Sequence, residues 1–91
     1  MRRLRTTRRH VPLDRSDEYL SAWQTVRSAV ELAGGRAWLF RGAGHEDQFV
    51  EFMEWTDDSA PPADDDIVAA AAAHLDVFAA PRTTEEWEEA Q

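Results

Sequence analysis

The spacing of apolar residues along the chain predicts a strand followed by a helix. Residues 4–11 favour an extended backbone because of their threonines and valine, and Pro12, which has no backbone N–H, ends the strand. The next apolar residues recur at intervals of three and four, which is typical of an amphipathic helix. They are Leu20, Trp23, Val26, Val30 and Ala33. Gly34 and Gly35 then provide the left-handed cap that glycine adopts most easily.

Two further apolar segments, 36–41 and 48–56, flank a glycine-containing connection and predict a β-hairpin. Because strand side chains alternate between faces, both segments divide into two sets. We expect the smaller set to face the helices: Ala37, Leu39, Val50 and Phe52. The opposite face then carries Arg36, Trp38, Phe40, Phe49, Glu51, Met53 and Trp55. A hairpin that is apolar on both faces needs a helix on one face and a partner or ligand on the other.

A second helix is predicted over residues 67–80. Its apolar face consists of Ile67, Ala71, Leu75 and Phe78. Acidic residues 64–66 complement the dipole at its N-terminus, and Pro81 ends it. In the tail, Thr83 and Glu86 have the spacing of a capping box, which predicts a short acidic helix. We therefore divide the chain into a domain, residues 1–81, and a helical tail, residues 82–91.

This β-α-β-β-α order predicts an α+β fold, a ferredoxin-like sandwich with both helices on one face of an antiparallel sheet. The second face of the sheet would be bare in a monomer. Burying such a face against another subunit is a common remedy in a chain of only 91 residues. We therefore expect a homodimer.

Composition and charge narrow the classes of function. Residues 1–45 carry nine arginines and four acids, and residues 46–91 carry one arginine and fourteen acids, for a net charge of −8. An acidic chain is a poor nucleic-acid binder, and no apolar run approaches the roughly 18 residues of a membrane span. The absence of cysteine excludes thiolate metal sites. Abundant arginine without lysine suggests a bacterial source, and with no secretion signal we expect a cytoplasmic protein.

Four segments carry a resemblance to a known family: DEYLSAW, RAWLF, QFVEFMEW and AAAHLDVFAAP. In their order they resemble the dimeric α+β-barrel superfamily, and within it the antibiotic-biosynthesis-monooxygenase-like domains. The resemblance implies two sheets packed face to face, and small aromatic ligands, quinol-like substrates or haem bound in clefts. The chain departs from the pattern because a fourth strand is not evident. Thr7, and Ala80 to Arg82, replace the asparagine and histidine of haem-degrading members, which argues against haem breakdown.

Several residues are candidates for chemistry. His74 borders the apolar face of the second helix, where it would act as a base or bind a ligand in the cleft between helix and sheet; the alternative is a histidine with one hydrogen bond. Aromatic residues that would contact a flat ligand, or else form core or interface, are Tyr19, Trp23, Trp38, Phe40 and Trp55. Charges within the apolar strands are expected to orient an anionic ligand or form ion pairs at a dimer interface: Arg36, Arg41, Glu51 and Glu54.

Two hypotheses about function follow. In the first, the protein is a dimeric barrel that binds a small aromatic or apolar ligand, as a cofactor-independent monooxygenase-like enzyme would. In the second, it is a non-catalytic interaction or assembly module. We expect no cofactor and no metal site, since His45, Glu46 and Asp47 are adjacent in a loop and rarely converge on one ion. Whether the protein is an enzyme stays open at this point.

Overall fold

The chain folds into two helices and a four-stranded sheet, and the computed structural model describes residues 1–91. In chain order the elements are β1 (Arg2–His10), α1 (Ser16–Leu32), β2 (Arg36–Gly42), β3 (His45–Thr56), α2 (Asp66–Leu75) and β4 (Thr83–Glu88). All pairings are antiparallel, and the strand order is β2-β3-β1-β4. The predicted α+β class and ferredoxin-like arrangement are confirmed. No helix is both long and apolar enough to cross a lipid bilayer.

The C-terminal tail is a strand, and the prediction of a short helix there is wrong. Residues Thr83–Glu88 form β4, which pairs with β1 along the edge of the sheet. The capping-box spacing describes only local preference, whereas β1 offers an unpaired edge rich in arginine. Arg5 binds Glu86 at 2.8 Å, and Arg2 binds Glu89 at 2.7 Å. Tertiary pairing therefore overrides the helical propensity of the glutamates, and the chain does contain a fourth strand.

The register of the hairpin differs from the prediction by an odd number of residues. At the turn Gly42 lies opposite His45, but a β-bulge follows, and beyond it Arg41 lies opposite Phe49. Without the bulge, odd-numbered residues of β2 would lie on the same face as even-numbered residues of β3, as the prediction assumed. Because of the bulge, odd-numbered residues of both strands lie on the same face. Ala37 and Leu39 do face the helices as predicted. The β3 assignment is wrong. Phe49, Glu51, Met53 and Trp55 lie on the helix side, while Val50 and Phe52 lie on the opposite side.

Both helices begin close to the predicted positions and α1 also ends there, but α2 ends at Leu75 and not at residue 80, so Pro81 does not end it. Residues 76–78 instead form turns with hydrogen bonds between residues three apart. Gly34 has φ = 90°, and the N–H of Gly35 donates to the Val30 carbonyl at 2.9 Å, which ends α1 as predicted. At the start of α2 the Asp65 carboxylate accepts hydrogen bonds from the N–H groups of Ile67 and Val68. Val68 is buried there and Ile67 is exposed, so the predicted apolar face is wrong at its first position.

The core lies between the helices and one face of the sheet. Its buried residues are Val11, Tyr19, Trp23, Val26, Ala29, Val30, Ala37, Phe49, Val68, Leu75 and Phe78. No element packs on the other face, which we call the open face. Its apolar side chains come from all four strands: Leu4, Trp38, Phe40, Val50, Phe52 and Trp87. Phe40 and Trp87 remain 58% and 54% exposed. The two helices therefore cover only one of the two faces of the sheet.

Candidate functional site

A cleft of about 250 Å³ opens between the helices and the covered face of the sheet. Its apolar lining comes mainly from α1, β3 and α2: Trp23, Val26, Met53, Ala72 and Leu75. Its polar lining comes from the strands and from the residue after α2: Arg5, Thr7, Arg9, Glu51, Asp76 and Thr84. Such a concave site, mostly apolar with a few polar groups, is the usual form of a small-molecule site.

Three polar side chains at the cleft wall and the fully buried Tyr19 form one hydrogen-bonded group, which we call the Arg9 cluster: Arg9, Tyr19, Glu51 and Asp76. Arg9 Nε donates to Glu51 Oε2 at 2.7 Å, and the Tyr19 hydroxyl donates to the same oxygen at 2.6 Å. Arg9 Nη1 donates to Asp76 Oδ1 and to the Ala79 carbonyl, both at 2.7 Å. Arg9 is only 4% exposed and Glu51 only 8%. Burial on this scale is rare for charged residues and requires pairing of this kind.

The fold brings the Arg9 cluster together from four distant segments. On the sheet, Thr7 lies opposite Glu51 and Arg9 lies opposite Phe49, so Arg9 and Glu51 are diagonal neighbours on one face. Tyr19 reaches them from the first turns of α1, and Asp76 is the residue that caps the end of α2. The cluster therefore ties both helices to the two central strands.

Burial dominates the electrostatics of the Arg9 cluster. Removal from water raises the pKa of Glu51 above its ordinary value, although hydrogen bonds from Tyr19 and Arg9 act in the opposite direction. Burial, followed by the negative charge of Glu51, raises the pKa of the Tyr19 hydroxyl, which keeps its proton. Burial also opposes the charge of Arg9, but its bonds to Asp76 and Glu51 outweigh that effect and raise its pKa. Glu51 therefore holds a proton more tightly than a glutamate in water.

His74 does not point into the cleft, so that part of the prediction is wrong. Its side chain lies on the exposed outer surface of α2 and packs edge-to-face against Phe78, with ring centroids 5.5 Å apart. It lines a shallow depression with residues of α1. His74 lies seven residues after Ile67, which is two turns further along the same side of α2. That side faces solvent, since Ile67 is exposed, whereas Val68 and Leu75 lie on the buried side. His74 and the Arg9 cluster therefore belong to separate surfaces.

The sheet separates the five aromatic residues predicted to bind a ligand. Trp23 lines the cleft, and the Tyr19 ring is fully buried beside it with its hydroxyl in the Arg9 cluster. Trp55 is also buried on the covered face, where the Arg5 guanidinium lies 5.8 Å from its ring centre. Trp38 and Phe40 lie on the open face. The five residues therefore cannot contact one ligand within a single subunit.

The charged residues of the hairpin also have different partners from those expected. Glu51 pairs with Arg9, and Glu54 lies 3.8 Å from Arg2, so both glutamates use arginines of β1. The guanidinium of Arg36 lies over the Trp38 ring, and that of Arg41 lies over the Phe49 ring. The four residues form no ion pairs with one another in this subunit.

Two members of the Arg9 cluster, Arg9 and Asp76, are absent from the sequence-based candidates. The alternation of side chains along β1 places Arg3, Arg5, Thr7 and Arg9 on one face, and this pattern in the sequence could have identified Arg9 as a candidate. Glu51 within an apolar strand indicated that a buried cation had to lie nearby. Nothing local marks Asp76, because it meets Arg9 only through the packing of α2 on the sheet. Nowhere do three histidine or acidic side chains converge in a way that could hold a metal ion.

Comparison with known proteins places the fold among solved structures. No protein-family model matches the sequence, and no curated protein matches it. The structure is similar to a variant of SnoaB, a cofactor-independent oxygenase from Streptomyces nogalater, at 18% identity and a TM-score of 0.76, over 99% of this chain and 94% of that one. A candidate antibiotic biosynthesis monooxygenase from Bordetella bronchiseptica matches at 14% identity and a TM-score of 0.76, over 99% and 98%. Rv0793 from Mycobacterium tuberculosis matches at 12% identity and a TM-score of 0.74, over the full length of both.

At these identities the comparisons establish the fold. The chain has the ferredoxin-like α+β architecture of antibiotic-biosynthesis-monooxygenase-like domains, as the resemblance in the sequence implied. It also covers nearly the whole length of each of these proteins, β4 included. One fold hosts many chemistries, so the function has to be argued from the site.

Proposed function

We propose that the protein binds a small aromatic or otherwise apolar molecule in the cleft beside the Arg9 cluster. The observation that carries this proposal is the cleft itself, with apolar walls and a buried, charged hydrogen-bond network at one side. A buried ion pair is weak evidence for stability, since a well-packed apolar pair often stabilises a fold as well or better. Its position in a cleft that opens to solvent supports a role in recognition.

The reaction class that we propose to assay first is cofactor-independent oxygenation, the activity named for SnoaB. In such a reaction the substrate itself supplies the electrons that reduce dioxygen, so the protein needs only to bind and orient it. The Arg9 cluster supplies fixed hydrogen-bonding groups for that task, and Trp23 supplies a flat apolar surface. A bacterial source and a cytoplasmic location stay predictions of the composition.

A blocking variant of the cleft tests the binding proposal. Ala72 lines the cleft, whereas Ala70, on the same helix, is exposed and does not. We expect wild-type protein to bind 1-naphthol saturably in isothermal titration calorimetry. Ala72→Phe fills the space and should weaken binding at least about tenfold, or about 1.4 kcal/mol. Ala70→Phe is the matched control and should bind as the wild type does. Equal binding by both variants would contradict the proposal.

A second proposal concerns the open face, which we propose pairs with the open face of a second copy of the chain. The apolar side chains there come from all four strands, and Phe40 and Phe52 stack edge-to-face with ring centroids 5.4 Å apart. A contiguous aromatic patch on a chain this small is typical of an interface. In the alternative, a non-catalytic assembly module, the same face would meet a different protein.

The oligomeric state in solution tests this second proposal. Phe40→Glu places a charge in the middle of the open face, and Leu32→Glu places one at the exposed end of α1, where Leu32 is solvent-accessible. In sedimentation velocity we expect the wild type and Leu32→Glu to be dimers and Phe40→Glu to be a monomer. A monomeric wild type would contradict the homodimer and favour a different partner.

A further inference from the structure

One oxygen of the buried Glu51 carboxylate has no hydrogen-bond partner within the protein. Arg9 Nε and the Tyr19 hydroxyl both donate to Oε2, and no donor reaches Oε1. The one fully buried side-chain polar atom without a partner is Arg3 Nε, so Glu51 Oε1 is accessible to solvent. Because Glu51 lines the cleft, that access is from the cleft. A carboxylate oxygen with free lone pairs is an acceptor of hydrogen bonds.

The other charged groups near Glu51 do not offer this oxygen a donor. On β1, Arg9 is engaged with Glu51, Asp76 and the Ala79 carbonyl, and Arg5 donates through Nε and Nη2 to Glu86 of β4. From α1, the single hydroxyl hydrogen of Tyr19 is committed to Oε2. From the end of α2, Asp76 is itself an acceptor. The hydroxyls of Thr7 and Thr84, which also line the cleft, do not donate to Oε1 either, so in this structure the oxygen is open to a donor from a bound molecule or from water.

The charge around the cleft limits what that molecule can be. Arg5 and Arg9 line it together with Glu51 and Asp76, but Arg9 is paired with both of these carboxylates and Arg5 with Glu86. The cleft therefore has no unpaired cation for an anionic ligand, which would also lie beside two carboxylates. The apolar walls formed by Trp23, Met53 and Leu75 favour an aromatic or aliphatic body. A neutral hydroxyl group attached to an aromatic ring satisfies both conditions. A site that hydrogen-bonds a substrate hydroxyl discriminates strongly against an analogue that lacks it.

We propose that Glu51 is the specificity-determining residue of the cleft: its Oε1 accepts a hydrogen bond from the hydroxyl group of a phenol-type or enol-type ligand. This inference rests on the proposed function, because it requires that the cleft binds a ligand. The raised pKa of Glu51 strengthens its role, since a more basic carboxylate is a better acceptor. Arg9 and Tyr19 then act as positioning residues, because their bonds to Oε2 fix the direction in which Oε1 points.

A matched pair of probes, 1-naphthol and its methyl ether 1-methoxynaphthalene, tests the inference. The ether keeps the ring but has no hydroxyl hydrogen to donate. We expect wild-type protein to bind 1-naphthol about tenfold more tightly, as one hydrogen bond to a charged group predicts. In Glu51→Gln the ratio of the two affinities should fall toward one, with the affinity for the ether unchanged. Glu54→Gln, on the open face of the same strand, is the control and should keep the wild-type ratio.

The outcomes separate this inference from the proposed function. Equal affinities of the two probes in wild-type protein would overturn the role of Glu51 and leave the cleft as the binding site. No binding of either probe, measured by ligand-detected NMR at millimolar probe, would overturn both proposals. If Glu51→Gln fails to fold, Tyr19→Phe serves in its place. It keeps the carboxylate but removes one of the two bonds that orient it, so the preference for 1-naphthol should weaken without disappearing while the affinity for the ether is retained. A preference larger than that of the wild type would contradict Oε1 as the acceptor, because it would show that the released Oε2 accepts the hydrogen bond instead.

Discussion

On the face of the sheet that the helices cover, Arg9 and Glu51 are buried; on the face that nothing covers, Phe40 and Trp87 are more than half exposed. The two faces use alternate residues of the same four strands. A sheet with one solvated side ordinarily shows the reverse, with apolar residues inward and polar residues outward. Much of the covered face follows this pattern, with Phe49 and Trp55 in the interior, but the buried Arg9–Glu51 pair and the exposed Phe40 and Trp87 depart from it. These two departures are the basis of the two proposals, a ligand beside the Arg9 cluster and a second copy of the chain on the open face.

Replacing Arg9 by methionine should cause the largest loss of folding stability, because it disrupts the buried ion pair of the covered face. Removal of Arg9 leaves the buried carboxylate of Glu51 without its cation, which costs about 3–5 kcal/mol. Its neighbour Arg8 is exposed and points to the open face, so Arg8→Met is a matched control expected to change stability by less than about 0.5 kcal/mol. Urea denaturation measures both. Similar losses in the two variants would show that the Arg9–Glu51 pair is not buried as described.

Tyr19→Phe should have the next largest effect, because it removes one of the two donors to Glu51 Oε2 and nothing else. A hydrogen bond to a charged group contributes about 1.5–3 kcal/mol. Since Tyr19 and Arg9 act on the same oxygen, their effects should not add. A double-mutant cycle with Arg9→Met should give a coupling of about 0.5–3 kcal/mol. Strict additivity would mean that the two side chains do not share Glu51.

The pH dependence of stability gives a smaller effect that distinguishes Glu51 from the exposed carboxylates. Its pKa is raised in the folded state, so the folded protein keeps a proton that the unfolded chain releases near its ordinary pKa of about 4.3. The contribution of Glu51 to stability is therefore greatest below that pH and falls as the pH rises through the folded pKa. Glu51→Gln should lack this fall, and Glu54→Gln should retain it. Thermal unfolding of the three proteins across this range provides the measurement; parallel curves would contradict the raised pKa.

The sequence predicts most of the fold because local signals are strong there. Helix α1, its glycine cap and the two-faced hairpin follow from periodicity and turn chemistry. The fourth strand does not, because the glutamates around Trp87 favour a helix until the arginine-rich edge of β1 is beside them. The assignment of faces fails because one bulge between Arg41 and Gly42 reverses the parity of β3, and no local pattern marks it.

The candidate site was less predictable than the fold. Glu51 and Tyr19 were identified as candidates, Glu51 because a charge in an apolar strand has to be paired. Their arrangement depends on contacts between residues that are 32 to 67 positions apart, such as Tyr19 with Glu51 and Arg9 with Asp76. His74, which has the most familiar catalytic chemistry, lies elsewhere. Residue types therefore indicated which side chains could carry the chemistry. Only the packing of α2 and the register of β3 show which of them lie together in the cleft.

The indole N–H signals of the four tryptophans in a ¹H–¹⁵N NMR spectrum test the central claim most directly, because the tryptophans divide between the two faces. Trp23 lines the cleft and Trp55 is buried on the covered face, while Trp38 and Trp87 lie on the open face. Addition of 1-naphthol should shift the Trp23 signal and leave those of Trp38 and Trp87 in place. Dilution to dissociate the proposed dimer should shift the signals of Trp38 and Trp87 and leave that of Trp23 in place. If 1-naphthol instead shifts Trp38 and Trp87 and leaves Trp23 unchanged, the ligand binds the open face, and the division between the faces is wrong.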